Sequence, residues 1–164
     1  MTAVARLQVE RKSWRKDHPI GFVAKPAMRN DGSADLLTWH CRIPGKKNTI
    51  WEGGVYPVKL RFSDDYPTRP PVCSFEAAGF LHPNVYDDGK ICLDIINDPA
   101  AGGSWKPTIS LKTILLGIQE LLDAPNINSA AQQRGYDLFK YDKAQYVRRV
   151  KEQAQRFAPT DGDC

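Results

Sequence analysis

The stretch His82–Ile95 reads HPNVYDDGKICLDI and places a lone cysteine, Cys92, just past a D-D-G turn. The loop INDPAAGGSW follows it closely. Irregular segments on a rigid scaffold are frequent locations for reactive groups. On this pattern alone, Cys92 is either a reactive thiol or a small buried hydrophobic residue between Ile91 and Leu93. The sequence on either side of the stretch differs in hydrophobic period, and this difference predicts the fold class.

Upstream of Cys92, the hydrophobic residues alternate with a period of two, which is typical of strands. The alternating runs are LTWHCRI at 37–43, VYPVKLRF at 55–62 and VCSF at 72–75, and GFVA at Gly21–Ala24 is a candidate fourth. Because Pro57 has no N–H to donate, we expect irregular pairing at that end of its strand. Consecutive strands of this kind predict a four-stranded antiparallel meander.

The N-terminal segment 3–16 has helical spacing. One side of it is predicted to dock on the rest of the fold and consists of Val4, Leu7, Arg11 and Trp14. Basic residues surround that side, and their simplest interpretation is a solvated cationic face: Arg6, Lys12, Arg15 and Lys16.

Downstream of Cys92, the hydrophobic period changes to 3.6 residues. A central helix is predicted to begin after Ser110, which would be its N-cap, and to stop at Pro125. Two further helices are predicted near 130–139 and 142–157, the second with Val147, Val150 and Phe157 facing inward. Strands followed by helices predict an α+β fold.

Length and composition predict one domain. The chain has 164 residues and 41% hydrophobic content, enough for a core of its own, so we predict a single domain at 1–159 and a short polar tail at 160–164. No long apolar run is present, which predicts an intracellular protein without a membrane span. The four cysteines are far apart in the sequence, so we expect neither a structural zinc site nor a redox dithiol. The net charge of +4 does not identify a partner.

The chemistry available to Cys92 is limited by the histidines. A cysteine protease needs a histidine base, and only His82 is close in sequence, in a turn-like H-P-N context. Transfer between thioesters is better suited, because a thioester is already activated and a small thiolate fraction is enough to attack it.

Three motifs carry a resemblance to a known family. H-P-N-V-Y-x-x-G-x-I-C-L-x-I, W-x-P near Trp105 and L-L-x-x-P-N-x-x-x-A-A resemble the ubiquitin-conjugating enzyme superfamily. ERKSWRKDHPIGFVAKP, IPGKKNTIWEGG, LLGIQELLDAPNI and RFAP are similar to its SUMO-conjugating branch. The similarity extends from about Leu7 to Pro159. It implies the ubiquitin-conjugating enzyme fold, with an N-terminal helix, a four-stranded meander, a central helix and two C-terminal helices.

The resemblance implies roles for residues near the cysteine. Cys92 would accept SUMO from its activating enzyme as a thioester and pass it to a substrate lysine as an isopeptide. Asn84 would offer its side-chain amide either to the neighbouring loop or to the oxyanion that forms during lysine attack. Tyr86 would desolvate the incoming lysine. His82 and Pro83 would be structural, fixing the H-P-N turn.

Binding roles are implied by the same resemblance. Arg11, Arg15 and His18 would bind a second SUMO noncovalently, and the first helix would also meet the activating enzyme. Contacts to the substrate would come from Tyr136, Arg69 and Gln133. The implied partners are SUMO, its activating enzyme, SUMO ligases and lysine-bearing substrates, with the chain itself a monomer located in the nucleus and cytoplasm. No cofactor is expected to bind stably, since ATP is consumed by the upstream activating enzyme.

The chain departs from the family pattern in three places. Ser129 stands where an acidic residue usually polarises the substrate lysine. Val72 and Ser74 stand where the SUMO branch commonly has lysines that contact the acidic residue of the ψ-K-x-E substrate motif, and Arg69 is a candidate to compensate. The loop between Cys92 and Trp105 is slightly longer than usual, and its P-A-A-G-G run predicts a mobile tip.

Three other functions remain open from the sequence. The chain could conjugate ubiquitin or another modifier, or act as a non-catalytic scaffold, although scaffolds of this superfamily usually lack the cysteine that is present here. Nucleic-acid binding is disfavoured because no stacking aromatics alternate with the basic residues of the first helix.

Overall fold

The computed structural model describes residues 1–160, and the predicted polar tail lies mostly outside them, together with Cys164. The described part contains four α-helices and one four-stranded sheet in the predicted order. The elements are α1 Ala3–Lys16, β1 Val23–Met28, β2 Ala34–Pro44, β3 Val55–Arg61, β4 Val72–Phe75, α2 Leu111–Asp123, α3 Gln133–Tyr141 and α4 Lys143–Arg156. The predicted α+β class and antiparallel meander are confirmed.

The sheet has the order β1-β2-β3-β4. The expected irregular pairing at Pro57 is wrong, because β2 and β3 pair without a break from Thr38↔Arg61 to Pro44↔Val55. The carbonyl of Pro57 accepts a hydrogen bond from Glu76 N on the β4 side. The N and C=O of one strand residue face the same neighbouring strand, so the nitrogen of Pro57 also faces β4. The pairing of β3 with β4 has already ended there, at Val58↔Phe75.

The first strand is longer than predicted and begins later, at Val23, continuing through Pro26 to Met28. A proline is tolerated there because β1 is an edge strand. The register shifts between Pro26 and Ala27, so the irregularity expected at Pro57 occurs in β1 instead.

Helix α1 has the predicted bounds, and of the side predicted to dock, Leu7 and Trp14 are buried whereas Arg11 is partly exposed. Its buried residues are Ala3, Leu7, Glu10 and Trp14, whereas Val4 is 43% exposed. Arg6 does not belong to a solvated face either. Its guanidinium donates to Glu10 at 2.9 Å and to the carbonyl of Pro107 at 2.8 Å. Glu10 also accepts from Leu111 N, the first residue of α2, so the charged pair joins α1 to α2.

The central helix α2 is amphipathic, and its apolar stripe lies in the core as predicted. Ser110 Oγ accepts from Thr113 N, which confirms the N-cap. Helix α3 begins at Gln133, later than predicted, because residues 127–129 form a separate 3₁₀ turn and the backbone at Ala130 is extended. Asp142 caps α4, where Val150 is fully buried and Val147 is partly buried. Within residues 1–160, no helix has both the length and the apolar composition needed to cross a membrane.

Candidate functional site

The three cysteines of residues 1–160 lie in different environments. Cys41 and Cys73 are buried in β2 and β4, as their strand patterns predict, whereas Cys92 is partly exposed. Burial raises the pKa of the Cys41 thiol to about 12 and also raises the pKa of Cys73. A thiol held neutral in this way is a poor nucleophile, since the thiolate is the attacking species. Cys92 is therefore the thiol that is placed to react.

The turn before Cys92 is fixed by backbone hydrogen bonds. Tyr86 N donates to the carbonyl of Lys90, and Cys92 N donates to the carbonyl of Asn84, each at 2.8 Å. Gly89 has φ +97°, and a Cβ there would lie 2.4 Å from the carbonyl oxygen of Phe75 at the end of β4. Only glycine fits this position, so the sheet determines where Cys92 lies.

His82 is completely buried and links the turn to α2. Its Nδ1 accepts from Asn84 N at 3.0 Å, so its Nε2 carries the hydrogen and donates to the carbonyl of Leu121 at 2.8 Å. Burial lowers the pKa of His82 to about 4. The ring is neutral and has no hydrogen-bonding capacity left for catalysis. The next residue, Pro83, accepts from Ala131 N at 2.7 Å and ties the turn to the segment before α3.

The buried His82 predicts a pH dependence of stability. Its pKa is about 4 in the folded chain and roughly 6.5 when unfolded, so the unfolded chain binds more protons between these values and stability falls as pH decreases. The free energy of unfolding should decrease by about 2 kcal/mol between pH 7 and pH 5 through this residue. Urea titrations of the wild type and His82→Gln measure it. An equal decrease in the variant would contradict this assignment.

Asn84 is also fully buried, and its side chain is bonded to the loop before α3. Its Nδ2 donates to the carbonyls of Asn126 at 2.7 Å and Ser129 at 2.9 Å, and its Oδ1 accepts from Asn126 N at 2.8 Å. Both amide hydrogens are therefore used. Of the two roles expected from the sequence, this arrangement favours bracing of the loop.

A cleft of about 600 Å³ opens beside Cys92. The predicted residues that line it are Cys92 and Ser129. The sequence did not single out its other polar lining residues, which are Asp94, Asn97, Glu120 and Asn126. Asn126 belongs to the P-N motif and could have been found from it. The Ser129 side chain is exposed, with Oγ 3.4 Å from Asn126 Nδ2, and supplies a hydroxyl without a charge.

Other predicted residues lie outside the lining of this cleft. Tyr86 is on the turn before Cys92 and is 44% exposed. Arg69 is exposed and pairs with Asp65 at 3.8 Å. On α3, Gln133 Nε2 donates a hydrogen bond to Asp137 Oδ1, and the hydroxyl of Tyr136 accepts one from Lys140 Nζ. Gln133 and Tyr136 lie one turn apart on α3, whereas Arg69 lies in the segment between β3 and β4.

The residues predicted to bind the modifier cluster at the end of α1. Arg15 and His18 are exposed, and Arg11 is partly exposed. The His18 ring stacks on Trp14 with ring centroids 5.3 Å apart, and its Nδ1 is 3.0 Å from the carbonyl of Trp14. This packing anchors the end of the helix and leaves the two arginines available to a partner.

The loop predicted to be mobile is closed by hydrogen bonds. Asp98 Oδ1 accepts from Ala100 N, and the carbonyl of Asp98 accepts from Ala101 N and Gly103 N. Within it, Asn97 Nδ2 lies 3.9 Å from Cys92 Sγ. Asn97 belongs to no motif, so no sequence pattern pointed to it.

The site combines an accessible sulfur with amide donors and an open cleft, and it has no histidine base. In residues 1–160, no cluster of three or more His, Cys, Asp or Glu side chains is arranged to hold a metal ion. This arrangement suits attack on an already activated acyl group better than hydrolysis of an amide.

Comparisons with known proteins agree with this chemistry. Residues 6–154 match the family described as "Ubiquitin-conjugating enzyme". The chain is 52% identical over 155 residues to Sumo-conjugating enzyme ubc9 of Dictyostelium discoideum, covering 94% of this chain and 95% of the relative. It is also 52% identical over 155 residues to SUMO-conjugating enzyme SCE1 of Arabidopsis thaliana, covering 94% of each. Identity to SUMO-conjugating enzyme UBC9 of Caenorhabditis elegans is 49% over 156 residues, covering 95% and 92%.

Proposed function

Because this chain belongs to the ubiquitin-conjugating enzyme family, we propose that it is a SUMO-conjugating enzyme that carries SUMO as a thioester on Cys92 and transfers it to substrate lysines. The observation that supports the proposal most strongly is the accessible Cys92 beside an open cleft, in a chain similar almost end to end to SUMO-conjugating enzymes. The buried Cys41 and Cys73 cannot substitute for it.

Charging is an exchange of thioesters. The Cys92 thiolate attacks the carbonyl carbon of SUMO bound to its activating enzyme, a new C–S bond forms, and the activating enzyme's sulfur leaves as a thiolate. The reaction is close to balanced because one thioester replaces another. A buried base is not required, which agrees with the neutral, fully bonded His82.

Discharge needs a deprotonated lysine. The amine attacks the thioester carbon, the C–N bond forms, the C–S bond to Cys92 breaks, and the amine proton passes to solvent. Tyr86, which is exposed on the turn before Cys92, would remove water from the amine, whose free pKa is roughly 10.4. Ser129 would orient it by hydrogen bonding from the cleft wall. Asn84 would act by holding the loop that carries Ser129.

The basic end of α1 is proposed to bind a second SUMO through Arg11, Arg15 and His18. Charge reversal by Arg11→Glu with Arg15→Glu should weaken this noncovalent binding about tenfold at low salt, and less at high salt. Calorimetric titration with SUMO measures the change. Arg148→Glu with Lys151→Glu makes the same net charge change on the exposed face of α4 and should bind like the wild type. Equal weakening by the two pairs would indicate a general charge effect.

Reconstitution tests the proposed function. The chain, SUMO, its activating enzyme, ATP and a lysine-bearing ψ-K-x-E protein should together form an isopeptide that withstands reductant. Omission of the chain should abolish the product at low activating-enzyme concentration. Ubiquitin with its own activating enzyme should give no product, and product formation with ubiquitin would favour a different modifier.

Substrate contacts, ligases and cellular location are part of the same proposal. Arg69, Gln133 and Tyr136 are proposed to meet the protein that carries the target lysine, outside the cleft of Cys92. Val72 is exposed on β4, and with Ser74 it offers no positive charge to an acidic substrate residue. SUMO ligases would supply further contacts, and the nucleus and cytoplasm would be the sites of action.

A further inference from the structure

The side-chain amide of Asn97 lies against the reacting sulfur. Its Nδ2 is 3.9 Å from Cys92 Sγ, and within residues 1–160 this is the hydrogen bond that the Asn97 side chain makes. A sulfur acceptor is larger than oxygen, so its hydrogen bonds are longer; this one is long at 3.9 Å and is expected to shorten when the sulfur becomes charged. The two side chains are partly buried, which strengthens such a contact relative to water.

The backbone holds Asn97 in place independently of its side chain. Asn97 N donates to the carbonyl of Asp94 at 3.1 Å, and its carbonyl accepts from Trp105 N at 3.2 Å. Gly103 packs directly against it, because a Cβ on that residue would lie 2.1 Å from the carbonyl oxygen of Asn97. Trp105 is itself buried and donates from Nε1 to the carbonyl of Pro67. The amide is thus positioned before any partner arrives.

The other amide near the cysteine is already fully used. Asn84 Nδ2 donates both of its hydrogens to the carbonyls of Asn126 and Ser129. It would have to break one of these partly buried hydrogen bonds before it could stabilise charge at the thioester. Asn97 has no competing side-chain hydrogen bond to break among residues 1–160, and its Nδ2 already lies 3.9 Å from Sγ.

We propose that Asn97 is a catalytic residue, whose Nδ2 donates to Cys92 Sγ and stabilises the negative charge that builds up there during transfer. This role rests on the proposed function. When the lysine amine attacks, its electron pair forms the C–N bond and the pair of the C–S bond moves to Sγ, which leaves as a thiolate. The charge therefore appears on the atom that Asn97 contacts. A preorganised donor aimed at developing charge accelerates such a step.

The test uses preformed thioester in single-turnover discharge. Wild type, Asn97→Ala and Asn97→Asp are charged with SUMO, the activating enzyme is stopped by chelating Mg²⁺, and discharge to free lysine and to hydroxylamine is followed. Loss of a hydrogen bond to a charged group should slow Asn97→Ala about tenfold with both nucleophiles. Asn97→Asp should be slower still, because it has no donor and its carboxylate repels the emerging thiolate. Free lysine and hydroxylamine need no binding surface on the enzyme, so their discharge rates report on the groups that contact the thioester.

Asp98→Ala is the matched control, since it removes the cap of the same loop and leaves the contact to sulfur intact. Its discharge rate should stay within about threefold of wild type. Discharge of Asn97→Ala at the wild-type rate would contradict the role of Asn97 but not the proposed function. A loss of discharge rate in Asp98→Ala as large as that in Asn97→Ala would also contradict this role, because the effect would then come from the structure of the loop. Failure of the wild type to form any thioester would instead contradict the proposed function.

Discussion

Cys92→Ala is expected to abolish thioester formation completely, whereas Cys92→Ser should form an oxyester that persists in reductant. The reason is that Cys92 is the thiol of residues 1–160 that is not buried. Replacing sulfur by oxygen keeps a nucleophile in the same place but makes a poorer leaving group, so the adduct becomes longer-lived. Non-reducing and reducing gels of a charging reaction distinguish the three forms.

The control for this prediction is Cys41→Ala, which removes a buried thiol from the core. Burial raises the pKa of Cys41 to about 12, so its thiol contributes nothing to charging. The variant should be less stable yet form the thioester in the same yield per folded molecule. Charging that persisted in Cys92→Ala would show that the nucleophile has been assigned wrongly.

Asn84→Ala should slow discharge to lysine about 100-fold, because a shift of about 1 Å in the groups that position the reactants can cost this much. The substitution deletes the hydrogen bonds to Asn126 and Ser129 and leaves these partly buried backbone groups without that partner. It should therefore also lower the free energy of unfolding by about 1–3 kcal/mol. Rates of charging and of single-turnover discharge, with urea titrations, measure these effects.

Asn84→Asp separates the effect of the hydrogen bond that the Asn84 side chain accepts from the effect of the two that it donates. The carboxylate can still accept from Asn126 N but cannot donate to either carbonyl, and its charge faces two carbonyl oxygens. We expect discharge as slow as in Asn84→Ala, with charging affected less than discharge in both variants. Equal losses of charging and discharge would assign Asn84 to folding alone.

The strands and helices could be predicted well wherever the burial of one face determined the spacing of the hydrophobic residues. The alternation around Trp39 and Cys41 gave the inner strands, and Ser110 gave the start of α2. The errors came from neighbours that a sequence does not show. Whether Pro57 disturbs pairing depends on which strand its nitrogen faces. The buried face of α1 includes Glu10 because Arg6 and Leu111 N satisfy its carboxylate there.

The site was predicted in part, because its motifs lie in turns that the chain folds locally. Cys92 and Ser129 do line one cleft. The saturated bonding of Asn84 could not be anticipated, since its partners lie more than forty residues away. Asn97 could not be found either, because its contact with sulfur depends on how Trp105 and Gly103 close the loop.

The most direct measurement of the central claim is charging with SUMO and ubiquitin in parallel, each with its own activating enzyme and ATP. Intact mass spectrometry follows the chain before and after addition of reductant. We predict one SUMO added per chain, mapped to Cys92 and removed by reductant, and no adduct with ubiquitin. No adduct with SUMO, or a SUMO adduct on a residue other than Cys92, would contradict the account.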